Sequence, residues 1–269
     1  MTFASPRCRD VRRAALVVGV VLGAVALAPA RAEAQPQPTL HTASAHPMQY
    51  YLSLPDGWRA DKKWPVLLAL ESSERAWLTL ANRYIAARQN LAYILVVPLI
   101  VTSSDAEPRL HPAFHYPPAA FDLMAKVGQC AFDQDGVAAV LDDVERLYGG
   151  EHRVYATGFS GGGRLLWALV FEHPERLMGA ASASGNFNGA CVKQLAFSTD
   201  ESRKALRVVS IGGKQDRYRP ALDRQFAVAS ALAQQHDYPP IANRLINGGH
   251  DAYPAEVLEF FQWLRSQPH

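Results

Sequence analysis

The feature that most limits how this chain can fold is a set of short, continuous apolar runs separated by helical patterns. Residues 65–70 read Pro-Val-Leu-Leu-Ala-Leu and residues 93–98 read Tyr-Ile-Leu-Val-Val-Pro. Runs of this length are too short for a helix, and without alternation they read as strands buried on both faces, as in parallel sheets. Further strands are predicted over 48–54, 154–159, 178–183, 207–211 and 243–246. Helices are predicted over 76–88, 133–148, 163–172, 226–236 and 256–266. The clearest is 133–148, where Val137, Val140, Leu141, Val144 and Leu147 share one face before Gly149-Gly150 ends it. Strands alternating with helices predict an α/β fold with a mostly parallel central sheet and helices on both faces. In such sheets chemistry sits beyond the carboxyl ends of the strands. Residues 102–118 read as a long irregular stretch of the kind used for lids or binding loops.

The N-terminus follows different rules. Arg7, Arg9, Arg12 and Arg13 precede an uncharged apolar run over 14–28, and Ala28, Ala30, Ala32 and Ala34 offer A-x-A cleavage positions. This is the layout of a secretory signal peptide over 1–34, and it implies a secreted or periplasmic protein. The run is 15 residues long, short of the roughly 20 a spanning helix needs. No stable membrane insertion is therefore expected after cleavage. The proline-rich polar stretch 35–47 reads as a flexible linker, and 48–269 as the folded domain. The leader holds five of the 27 Lys and Arg and two of the 25 Asp and Glu, so its removal takes the formal charge from +2 to −1. No basic cluster remains that would suit nucleic acid. Cys130 and Cys191 survive cleavage, and in an exported protein such a pair is either a disulfide or two buried thiols.

Gly158-Phe159-Ser160-Gly161-Gly162 fits G-x-S-x-G and lies between a predicted strand and a predicted helix. A serine on so sharp a turn projects its hydroxyl above the sheet, and the flanking glycines relieve crowding. A serine hydroxyl needs a base, and the base needs an orienting acid. The strand over 207–211 runs through Gly212-Gly213-Lys214-Gln215 into Asp216, at the same sheet edge as Ser160. Asp223 is the nearest rival carboxylate, but it reads as a helix-surface residue. The last strand runs through Asn247-Gly248-Gly249 into His250. Of nine histidines, His250 alone combines a position after Ser160 and Asp216 with a place at a strand end. No Cys/His cluster has metal-ligand spacing, so neither a metal nor an organic cofactor is expected.

Together these segments resemble secreted α/β-hydrolases of the feruloyl esterase and polyhydroxybutyrate depolymerase-like group. The resemblance rests on Thr157 through Gly163, the Asp216 turn and Gly248-Gly249-His250. His173-Pro174-Glu175-Arg176 and Ala180-Ala181-Ser182-Ala183-Ser184-Gly185 look like that group's connection after the serine turn. It covers about residues 48–265. It implies an α/β-hydrolase fold, Ser160 as nucleophile, His250 as base, Asp216 as orienter, and a small-molecule or polymeric ester as substrate. Such enzymes usually carry a His-Gly pair and further glycines after the early strand. Here the strand runs into Glu71-Ser72-Ser73-Glu74-Arg75. The expected oxyanion donors are the Gly161 N–H and a second amide assigned to Ser72. A Glu71 carboxylate pointing inward would oppose a developing oxyanion, which keeps open a non-catalytic binding protein on this fold. A serine peptidase is the other alternative, because both reactions are acyl transfer. Trp77, Phe159, Phe187 and Tyr218 lie near strand ends or turns, where aromatic residues line an apolar pocket or simply pack the core.

Overall fold

The computed structural model describes residues 37–188, 191–192 and 196–267. The predicted leader over 1–34 lies outside them. The sheet has eight strands: β1 (Thr39–Thr42), β2 (Gln49–Ser53), β3 (Val66–Leu70), β4 (Ile94–Pro98), β5 (Val154–Phe159), β6 (Leu177–Ala183), β7 (Val208–Gly213) and β8 (Ala242–Ile246). Their spatial order is β1-β2-β4-β3-β5-β6-β7-β8. β1 and β2 pair antiparallel, and β2 is antiparallel to β4. The remaining pairings, from β4 across to β8, are parallel. Every residue of β3 and β4 is buried, as their unbroken apolar runs require. β8 is half exposed at the far edge.

The helices are α1 (Trp77–Arg88), α2 (Pro118–Val127), α3 (Gln129–Tyr148), α4 (Gly163–Glu172), α5 (Arg219–Gln235) and α6 (Pro254–Ser266). α3 begins four residues before the predicted Asp133, and α2 is absent from the sequence-based expectations. It starts at Pro118 in the first-turn position that proline favours. The irregular reading of 102–118 otherwise holds, apart from a short 3₁₀ turn at Pro108–Leu110.

The reading of 35–47 as a flexible linker is corrected. Thr39–Thr42 pairs with Gln49–Leu52 as an outer strand, mostly exposed. Just beyond it, the Ser44 N–H and hydroxyl donate to Asp143 on α3 at 2.6 and 2.8 Å. Polar composition marks exposure here rather than freedom. An edge strand is held by its backbone, and its side chains can stay in water.

Two buried contacts set loops that frame the top of the sheet. Asp133 is fully buried and accepts from the Val101 and Thr102 N–H groups and from the Thr102 hydroxyl, at 2.6 to 3.0 Å. Burial pushes its carboxyl up to about 7, while those three donors favour the charged form. The contact fixes the chain leaving β4, so that the Ser103 carbonyl lies against Gly161: a Cβ on that glycine would stand 2.0 Å from the Ser103 oxygen.

The second tie is a disulfide between Cys130 and Cys191, with Cα atoms 5.3 Å apart and a sequence separation of 61. It joins the start of α3 to the segment after β6. A crosslink closing a loop of this length restricts the unfolded chain by about 4 kcal/mol. Cys130→Ser with Cys191→Ser is expected to lower the unfolding free energy by that order. Denaturant titrations of both proteins under oxidising conditions check it. An unchanged midpoint would show that the bond adds nothing to stability.

Candidate active site

β5 ends in Phe159, and Ser160 follows in a left-handed conformation at φ 48°. That region costs a non-glycine residue of order 1–3 kcal/mol and recurs where a side chain must be aimed. A single 3₁₀ turn over Ser160–Gly162 leads into α4. The turn packs tightly onto β3, because a Cβ at Gly162 would lie 2.4 Å from the Leu70 carbonyl. On the other side the Asn186 N–H donates to the Ser160 carbonyl at 2.8 Å. Strand, turn and neighbours thus direct the Ser160 hydroxyl upward.

The loops after β7 and β8 meet that hydroxyl. They are laced together by bonds from the Lys214 N–H to the Ile246 carbonyl and from the Gln215 N–H to the Gly248 carbonyl, both 2.9 Å. The Gln215 side chain accepts from the Gly248 N–H at 2.7 Å. Asp216 and His250 are thereby brought face to face. His250 Nδ1 lies 2.8 Å from Asp216 Oδ2, and His250 Nε2 lies 2.9 Å from Ser160 Oγ. The Asp216 side chain is 1% exposed, and its Oδ1 accepts from the Tyr218 N–H at 2.8 Å. With Asp216 accepting at Nδ1–H, Nε2 is left free to accept from the serine. The imidazole contacts Phe159, tilted to it, and Tyr218, edge-on to it, with ring centroids 5.2 and 4.9 Å away. Beside it, Asp251 pairs with Arg83 of α1 at 2.7 Å. The rival Asp223 is instead paired with Arg219 on α5.

The loop after β3 differs from its expected arrangement. Glu71 is buried, and burial raises its carboxyl above the usual range. The Ser72 hydroxyl donates to it at 2.5 Å, a bond that favours its charged form. The Ser72 hydroxyl is therefore committed to Glu71. The neighbouring Ser73 N–H takes part in no hydrogen bond among the described residues. Its nitrogen lies 3.2 Å from where a Gly161 Cβ would stand. Ser73 is exposed where Ser72 is buried. The amide nitrogen placed beside Gly161 is that of Ser73, and both Ser72 and Ser73 line the pocket above Ser160.

Ser160 and His250 open into a pocket of about 340 Å³. Phe159 and Tyr218 line it, as do Ser73, Asn186, Arg217 and Gln225. Two aromatic assignments are corrected. Trp77 is 4% exposed and packs against Phe114 at 5.0 Å, within the core. Phe187 is 6% exposed and packs against Trp167 and Phe171, outside this pocket. Asn186 and Gln225 have no local motif that would mark them. Arg217 had a usable signal in its place directly after Asp216. Among the described residues no group of three His, Cys, Asp or Glu is placed to hold a metal ion. Among the same residues no helix is long and apolar enough to cross a membrane.

No family model matches the sequence, and no curated protein does so. Solved structures do match in fold. A poly(3-hydroxybutyrate) depolymerase from Bordetella parapertussis is 17% identical with a TM-score of 0.57, over 86% of this chain and 91% of that one. A ferulic acid esterase is 16% identical with a TM-score of 0.52, over 84% and 96%. A fluorophosphonate-binding serine hydrolase of Staphylococcus aureus is 14% identical with a TM-score of 0.56, over 86% and 98%. At these identities the likeness establishes the α/β-hydrolase fold.

Proposed function

We propose that this protein is an exported serine hydrolase that cleaves carboxylic esters through an acyl-enzyme. The observation that carries the reading is the unbroken relay from Ser160 Oγ through His250 to Asp216, at 2.9 and 2.8 Å, above the carboxyl ends of parallel strands. His250 Nε2 takes the hydroxyl proton as Ser160 Oγ bonds to the ester carbonyl carbon. Asp216 holds the tautomer and stabilises the imidazolium that forms. The carbonyl oxygen, now negative, accepts from the Gly161 and Ser73 N–H groups. Collapse breaks the ester C–O bond, and the imidazolium hands its proton to the departing alkoxide. Water then repeats the sequence and releases the acid, restoring Ser160 and neutral His250.

Glu71 is bound by the Ser72 hydroxyl and does not line the Ser160 pocket, which weakens the chief argument for a non-catalytic protein. Export is supported by the basic-then-apolar leader and by the Cys130–Cys191 bond, which suits an oxidising compartment. The natural substrate on this reading is a small or polymeric ester.

A fluorophosphonate probe tests the nucleophile without the natural substrate. Intact-mass analysis is expected to show one adduct on the wild type and none on Ser160→Ala. No adduct on either protein, or an equal adduct on both, would overturn the assignment.

A further inference from the structure

We propose that the pocket selects esters bearing a carboxylate, held by Arg217. The inference rests on the ester-hydrolase reading and names the substrate class within it. Arginines around the site are mostly committed to carboxylates. Arg83 pairs with Asp251, Arg164 with Asp105 and Arg219 with Asp223. Arg217 lines the pocket, is exposed, and has no ion-pair partner among the described residues. Its guanidinium lies 4.7 Å from the centroid of the Tyr218 ring, and that ring meets His250 edge-on at 4.9 Å. One aromatic ring therefore separates the charge from the reacting imidazole. Stacking on Tyr218 limits the freedom of the side chain while leaving its N–H groups to donate.

The surroundings favour an anion at this end. The Gln225 side-chain oxygen accepts from the Phe187 N–H at 2.7 Å, which leaves its NH₂ group to donate. Gln225 and Asn186 line the same pocket as Arg217. The adjoining groove, which shares Gln225, carries Arg224, also without an ion-pair partner among the described residues. Glu74 is the one carboxylate in the lining, and it lies on the loop after β3, with Ser73. A substrate carboxylate held by Arg217 would lie in a pocket that also offers two side-chain amides. A substrate cation would meet Glu74 alone.

The test compares kcat/KM for matched esters on the wild type, Arg217→Ala and Arg217→Lys. The acyl side is probed with 4-nitrophenyl hemisuccinate, 4-nitrophenyl butyrate and a 4-nitrophenyl ester with a quaternary ammonium on its acyl chain. The alcohol side is probed with the butyrate esters of 4-hydroxybenzoate and of its methyl ester. The wild type is expected to prefer the carboxylate-bearing member of at least one set. Arg217→Ala is expected to cut that preference about tenfold, the scale of a charge-assisted hydrogen bond, and Arg217→Lys to restore part of it. Added salt is expected to weaken the preference. Three results would overturn the proposal while leaving the hydrolase intact: no preference in either set, a preference for the cationic ester, or a preference unchanged in Arg217→Ala. Failure of the wild type to turn over any of these esters, together with no fluorophosphonate adduct, would overturn the hydrolase reading and this proposal with it.

Discussion

Ser160→Ala is expected to lower ester turnover by a factor on the order of 10⁶ in kcat, the loss typical when a triad serine is removed. Ser160 Oγ is the atom His250 Nε2 contacts at 2.9 Å. Without it the imidazole has no serine proton to take, and no acyl-enzyme can form. What survives is acceleration from the backbone amides and from binding alone, about 10³–10⁴ over water in comparable sites. The substitution removes one oxygen at a partly exposed position and keeps the left-handed backbone. Its denaturation midpoint is therefore expected to stay close to that of the wild type. Rates with 4-nitrophenyl butyrate, measured on both proteins beside their unfolding curves, provide the check. A variant retaining a tenth or more of wild-type activity would show that another group is the nucleophile.

Asp216→Asn is expected to lower kcat by about 10⁴ with little change in KM. The substitution keeps shape and burial. The introduced amide would retain an oxygen for the Tyr218 N–H, as Asp216 Oδ1 has now. Its NH₂ would then face His250 Nδ1, where the wild type places Oδ2 at 2.8 Å. A donor there selects the tautomer protonated at Nε2, which cannot accept the serine proton. The imidazolium also loses its facing charge. Asp216 does not line the Ser160 pocket, so substrate binding should be largely spared. Steady-state kinetics alongside a denaturant titration separate this outcome from unfolding. A stable variant losing less than tenfold in kcat would deny Asp216 the orienting role.

The sheet and its reaction edge were legible because the signals are local. Residues 65–70 and 93–98 are apolar without alternation because both faces of β3 and β4 are covered. The strand–turn–helix around Ser160 was legible because so sharp a turn excludes most side chains beside it. Asp216 and His250 could be chosen because each follows a strand through glycines. The outer strand β1 was not legible, since pairing through its backbone leaves no trace in exposed polar side chains. α2 was obscured by the prolines before it.

The same division runs through the site. Sequence by itself determined which strand ends carry a hydroxyl, an imidazole and a carboxylate, because topology brings parallel strand ends to one edge. Tertiary structure decided everything that depends on a contact between distant segments. Trp77 and Phe159 both lie at an element end beside a turn, yet one packs against Phe114 in the core and the other meets His250 at the pocket. Ser72 and Ser73 are indistinguishable as letters. The Glu71 carboxylate takes the Ser72 hydroxyl, and Gly161 lies beside the Ser73 nitrogen. Arg217 is one of many arginines until the pairing of its neighbours leaves it facing the pocket unpaired. Local pattern reports what a residue can do. Only packing and pairing decide which residues are left free to do it.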